Sequence, residues 1–242
     1  MITATVDVLE PLDKKSRVPV IWRVTAPATD SFDSNGNLQP RNSAALATYE
    51  LATRHINPRN RQPTGFISFY SAYQSALNKH KRMLQRGHQQ MKLIAVMTEN
   101  IDCIYDAYSI ASREGYKNSP QAVPVDNDTR SNHALTSHFE EVLVHGSVPA
   151  ASIIAVLPGD NKANFVTLFT PIGDRLLHFK VAIPGDFADS TWPSPMMKLR
   201  DEVRRRTGSD EDRPFSLLVR SMGNGFLTLY MLERLADPVN FR

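Results

Sequence analysis

The chain has 242 residues, a formal net charge of +3 and 41% hydrophobic residues. That length is ample for a packed core, and the ordinary balance of apolar and charged residues excludes an intrinsically disordered chain. One cysteine excludes an intrachain disulfide, and the longest apolar runs, such as residues 148–158, are too short to cross a bilayer.

Taken in chain order, residues 1–17 are polar and read as an extended arm or early strand. They show no basic stretch ahead of an apolar core, so no signal peptide is expected. Residues 18–27, bounded by Pro19 and Pro27, read as a strand. A loop follows over 29–42, with a turn at Asn35-Gly36. Residues 43–56 predict a helix capped by Asn42 or Ser43, and 57–65 a loop. Residues 66–71 are aromatic and β-branched and predict a short strand. Residues 72–87 predict a helix with a basic last turn and Gly87 just past its end. A strand is expected over 90–98 and a helix over 101–115, closed by Gly115, in which Cys103 is a buried structural thiol.

A polar loop over 116–132 leads to a short helix at 131–138. The strand 140–146 follows, with 151–160 as its expected partner. Residues 164–184 read as a hairpin or two strands, 195–207 as a basic helix, and 214–237 as an apolar stretch broken at Gly223 and Gly225. Helices alternating with short strands, and strands clustering late, predict an α+β fold. The chain has no repeat, no Gly-x-Gly-x-x-Gly or Walker loop, and no Gly-x-Ser-x-Gly. It has no Cys-x-x-Cys or His-x-x-x-His pair, so no metal site is expected.

The pI near 9.0 is mildly basic and points only weakly to an anionic partner. Basic residues gather at 78–88 and 198–206, both of which read first as solvated helix faces. Three strand-borne features carry more chemistry. Arg23 lies inside the apolar strand "VIWRVT". A charge there needs an anion, either an internal carboxylate or a bound carboxylate or phosphate that the guanidinium can grip with two bonds. Ser68 is a small hydroxyl within the aromatic strand "GFISFYS". Glu140 and Glu141 stand in front of the strand "VLV". Side chains alternate along a strand, so only one of these acids can enter a given cleft. The same alternation puts Ser68 and Tyr70 on one face and Ile67 and Phe69 on the other. Trp22, Phe66, Phe69, Tyr70 and Tyr73 are ring surfaces for a flat ligand or core residues, with Tyr70 the better cleft candidate. His55 ends a helix and is suited to stabilising its C-terminus.

In this order, Arg23 in "WRV", Ser68 in "FISFYS" and Glu141 in "EEVLVHGSVP" resemble the ADP-ribosyltransferase family. The block "LATRHINPRNRQPTGFISFYSAYQSALNKH" looks like its fungal and pierisin-like members. The resemblance spans roughly residues 18–160. It implies a split β-sheet core with flanking helices in residues 1–160. It does not reach residues 161–242, which are expected to form additional strands and helices packed on the same domain, with no role read for them. It also implies NAD as substrate, Glu141 as the catalytic carboxylate, and Arg23, Ser68, Tyr70 and His55 as NAD-binding residues. Two departures bear on the acceptor. The family's Ser-Thr-Ser reads Ser68-Phe69-Tyr70 here, and Phe139 stands where arginine-modifying members carry a first glutamate. The resemblance therefore implies a non-arginine acceptor, protein or nucleic acid. Its alternatives are NAD hydrolysis and a binding module without turnover.

Overall fold

The computed structural model describes residues 7–29, 31–42, 46–57, 60, 62–113, 138–158, 164–172, 175–183 and 194–222. Of these, 158, 164–172, 175–183 and 194–198 are described by their backbone. In chain order the elements are β1 (Val20–Thr25), α1 (Tyr49–Ile56), β2 (Phe66–Tyr70), α2 (Tyr73–Gln85), β3 (Lys92–Met97), β4 (Ile104–Asp106), α3 (Ala107–Ser112), β5 (Glu141–His145), β6 (Ile153–Pro158), β7 (Asn164–Ile172), β8 (Arg175–Ile183), α4 (Ser194–Thr207) and α5 (Arg213–Met222). The fold is α+β, as expected. The chain forms two compact units that interleave in sequence. The first comprises Met1–Val18, Ser31–Ser71 and Glu99–Ala150; the second comprises Pro19–Asp30, Ala72–Thr98 and Ala151–Arg242.

In the first unit, β5 runs between β2 and β4 and is antiparallel to both. Ser68 lies opposite Leu143, Tyr70 opposite Glu141, and Tyr105 opposite Leu143. Directly paired residues share a face, so Phe66, Ser68, Tyr70, Tyr105, Glu141 and Leu143 form one side of this sheet. Ala52 and Ile56 of α1 and Ala107, Ile110 and Ala111 of α3 pack on that side with Phe66, Tyr105 and Leu143. Helix α1 begins at Tyr49, later than the sequence suggests, and its cap is Thr48, not Asn42 or Ser43. The Thr48 hydroxyl accepts from the Leu51 N–H, satisfying one of the first-turn donors. The residues just before it are held extended, because Leu9 N–H donates to Ala47 and Val8 bridges to Thr48.

The segment expected as a helix over 101–115 divides. Ile104–Asp106 pairs with β5, and the Asp106 carboxylate then caps α3 by accepting from the Tyr108 and Ser109 N–H groups. Cys103 is half-buried in the extended approach to β4, where its carbonyl accepts from His145 N–H. Gly115, the loop that follows and the helix expected at 131–138 lie outside the described residues, except that His138 begins a turn. Arg17 ties the arm down by donating to the Leu12 and Asp102 carbonyls at 2.9 and 2.7 Å. The expected turn at Asn35-Gly36 is present: Asp33 accepts from the Asn35 and Asn37 N–H groups, and Gly36 has φ +79°. Gly65 enters β2 where a Cβ would meet His145 Nε2 at 2.9 Å and the Asn42 carbonyl at 3.1 Å, so a side chain there would force one or both neighbours to move.

In the second unit, β3 runs between β1 and β6, antiparallel to each. The strand expected to close on 140–146 therefore pairs elsewhere: Lys92 faces Pro158 and Leu93 faces Leu157, with a register shift at Ala95/Val96. Strands β7 and β8 form the expected hairpin, from Asn164↔Ile183 to Ile172↔Arg175. Helix α2 packs on β1, with the Trp22 and Tyr73 rings tilted at 50° and 4.5 Å apart. It is followed by Gly87 at φ +83°, the position expected for it. Helix α4 lies against β6 and α5, and α5 buries Phe215, Leu218, Val219 and Met222 along one face. Arg200 of α4 donates twice to the carboxylate of Asp212, the residue before α5, at 3.0 and 2.8 Å. Among the described residues, no helix is long and apolar enough to cross a membrane.

Candidate active site

The site is built on the first unit, where β5 starts. The chain turns tightly over 138–141, closed by Glu141 N–H donating to the His138 carbonyl at 3.0 Å. That turn delivers Glu141 as the first residue of β5, on the face it shares with Ser68 and Tyr70. The same face is covered by α1, and His55 is in the last turn of that helix.

These elements line up a continuous series of polar side chains. His55 Nδ1 bonds the Thr64 hydroxyl, and His55 Nε2 lies 2.9 Å from Ser68 Oγ. The Ser68 hydroxyl bonds the Glu141 carboxyl. From the turn before β5, His138 Nδ1 lies 2.5 Å from Glu141 Oε2. A carboxylate only accepts, so Ser68 donates to Glu141 and its oxygen must accept from His55 Nε2–H. The remaining ring nitrogen, Nδ1, is engaged by the Thr64 hydroxyl. The line therefore points its protons toward Glu141.

The Glu141 and His138 side chains are only 15% and 10% exposed. Burial pushes the Glu141 carboxyl up, yet it is held below the usual carboxylate value. The His138 hydrogen bond and charge, the Ser68 hydrogen bond and the His55 charge together outweigh desolvation. Glu141 is thus an anion at neutral pH in a sheltered position. Such a group can hold a hydroxyl and stabilise positive charge developing next to it.

The other sequence candidates fall as follows. Tyr70 lies opposite Glu141 and is half-buried, whereas Trp22, Phe66, Phe69 and Tyr73 are buried core residues. His55 does more than end a helix, since both its ring nitrogens are engaged across the sheet face. Arg23 belongs to the second unit, half-buried on β1 opposite Ile94. Glu140 precedes the strand, and its carbonyl accepts from the Ser71 N–H and hydroxyl at 2.8 and 3.3 Å. Phe139 is 69% exposed, with its ring edge-on to Tyr108 at 5.7 Å.

Sequence reasoning passed over His138 and Thr64. The signal for His138 was its place three residues before Glu141, across a turn; Thr64 carries no signal beyond its neighbour Gly65. Among the described residues, no group of three or more His, Cys, Asp or Glu side chains could hold a metal ion. The basic cluster on α4 is internally paired: Arg205 and Arg206 bond Glu202, and Arg200 and Arg204 bond Asp212.

No protein-family model matches the chain, and no curated protein matches it. Among solved structures the chain is similar to EcPltA, at 10% identity and a TM-score of 0.36, over 66% of this chain and 82% of that one. So loose a superposition carries no argument about fold or function.

Proposed function

We propose that the protein is an NAD-cleaving ADP-ribosyltransferase, with an ADP-ribosyltransferase-like core and Glu141 as its catalytic carboxylate. The observation that carries the reading is the sheltered, ionised Glu141 at the head of β5, held by Ser68 and backed by His55. In the proposed reaction the bond from ribose C1 to the nicotinamide nitrogen breaks. Its electron pair stays on the nicotinamide ring and neutralises the ring's charge. The ribose becomes oxocarbenium-like, as in glycoside hydrolysis, and Glu141 stabilises it while holding a ribose hydroxyl. An acceptor then bonds to C1 and gives up a proton. Tyr70, opposite Glu141, offers a ring face for nicotinamide. Arg23 enters from the sequence resemblance, as the residue suited to the pyrophosphate.

The acceptor in this reading is not arginine, because Phe139 occupies the place of the first glutamate of arginine-modifying enzymes. Water as acceptor gives NAD hydrolysis, and nucleic acid is a further candidate through the exposed Lys81, Arg82 and Arg86 of the α2 end. Binding to nucleic acid should then weaken steeply with salt. A scaffold that binds NAD without turnover is the competing reading, favoured by the Ser68-Phe69-Tyr70 departure. Calorimetry with NAD beside a nicotinamide-release assay separates the two: release at any Glu141-dependent rate supports the enzyme, and binding without release supports the scaffold.

A further inference from the structure

We propose that His138 is a positioning residue for Glu141: a built-in donor, second to Ser68, that fixes the rotation of the carboxylate. The inference rests on the reading of Glu141 as the NAD-cleaving carboxylate. A glutamate at the start of a strand has three side-chain torsions to lose. Ser68 alone, reaching from β2, leaves the carboxyl free to swing about that one contact. His138 supplies a second point from a different element, Nδ1 at 2.5 Å from Oε2. His138 is itself held in place: the residue is buried, and its carbonyl closes the turn by accepting the Glu141 N–H at 3.0 Å. Donor and acceptor are thus carried on one four-residue turn, so their spacing does not depend on distant packing. Reacting groups must be placed to a fraction of an ångström, and a carboxylate held at two points meets that demand.

Among the described residues, the groups that bear on Glu141 are His138 from the turn, Ser68 and Tyr70 from β2, and His55 from α1, with Glu140 its neighbour in the chain. Removing His138 withdraws the donor while leaving Ser68 and His55 in place. The amide nitrogen of an asparagine at 138 falls near the position of Nδ1, whereas that of a glutamine falls near Nε2. The two amides therefore distinguish a donor at this point from bulk or polarity.

The experiment compares His138→Ala, His138→Asn and His138→Gln in the full chain, each checked for folding by circular dichroism. Nicotinamide release from NAD gives kcat and KM, and carbon-13 NMR of the Glu141 carboxyl, assigned by its loss in Glu141→Gln, gives its titration midpoint. In His138→Ala we expect kcat to fall about 10- to 100-fold with KM within about threefold. The midpoint should move up, and His138→Asn, but not His138→Gln, should restore kcat and bring the midpoint part of the way back, since the amide replaces the hydrogen bond but not the charge. A wild-type kcat in His138→Ala, an unmoved midpoint, or equal rescue by both amides overturns the proposal. Failure of the underlying reading looks different: Glu141→Gln then releases nicotinamide as fast as wild type, and the midpoint alone decides whether His138 holds the carboxylate.

Discussion

Glu141 is defined by its donors, and its behaviour with pH follows from them. Its carboxyl is held below the ordinary value despite burial, because His138 and Ser68 bond the charged form and His55 adds favourable charge. A carboxyl with a lowered folded pKa contributes stability that is fully present above the unfolded value, about 4.3. That contribution is lost as pH falls through the lower folded value. Urea midpoints measured between about pH 6 and pH 3 should therefore fall more steeply for wild type than for Glu141→Gln. Parallel curves would mean the carboxyl is not stabilised as its contacts indicate. At this scale the sequence was partly legible. Strand alternation put Ser68 and Tyr70 on one face, and the acid pair before "VLV" isolated Glu141. His138 was not legible, because an His-x-x-Glu spacing makes contact only once the chain turns between them, and that turn has no Gly or Pro to announce it. His55 was read as a helix-end residue, since nothing local shows that α1 is laid across β2.

Helix α1 holds His55 over the sheet, and its first turn rests on the Thr48 cap. Thr48→Ala should cost about 0.5–2 kcal/mol, seen as a lower urea midpoint, because the Leu51 N–H loses its acceptor. It should also slow nicotinamide release with less effect on NAD affinity, since His55 loses its fixed seat beside Ser68. An unchanged midpoint would mean that arm residues 8–9, not the cap, set the start of the helix. Element types with local periodicity were legible: β2, α2 with Gly87, the hairpin over 164–183 and the basic helix near 195–207. The failures share a cause in long-range pairing. Apolar residues at helical spacing over 101–115 also suit a strand followed by a capped helix, and the pairing of Ile104–Asp106 with β5 decides between them. Likewise 151–160 follows closely after 140–146, yet β6 finds its partner in β3, more than fifty residues back.

The two compact units interleave, so no single cut in the chain separates them. Residues beyond 160 do not merely decorate the second unit, because Leu199, Val203, Phe215, Leu218, Val219 and Met222 are buried there. Burying each such side chain stabilises by roughly 1.5–3 kcal/mol, so a chain ending at residue 160 loses a large share of that unit's core. Its amide NMR spectrum should lack the dispersed resonances of β1, β3 and β6; a fully dispersed spectrum would show that the terminal helices are dispensable. The proposed function places one catalytic demand on the molecule, that a single sheltered carboxylate at the head of β5 supports cleavage of the nicotinamide–ribose bond. The most direct test is nicotinamide release from NAD by wild type and by Glu141→Gln, with NAD affinity measured for each. The account predicts release by the wild type and a rate at least about 100-fold lower in the variant, with affinity for NAD retained. Equal rates in the two proteins, or no release by either, would contradict it.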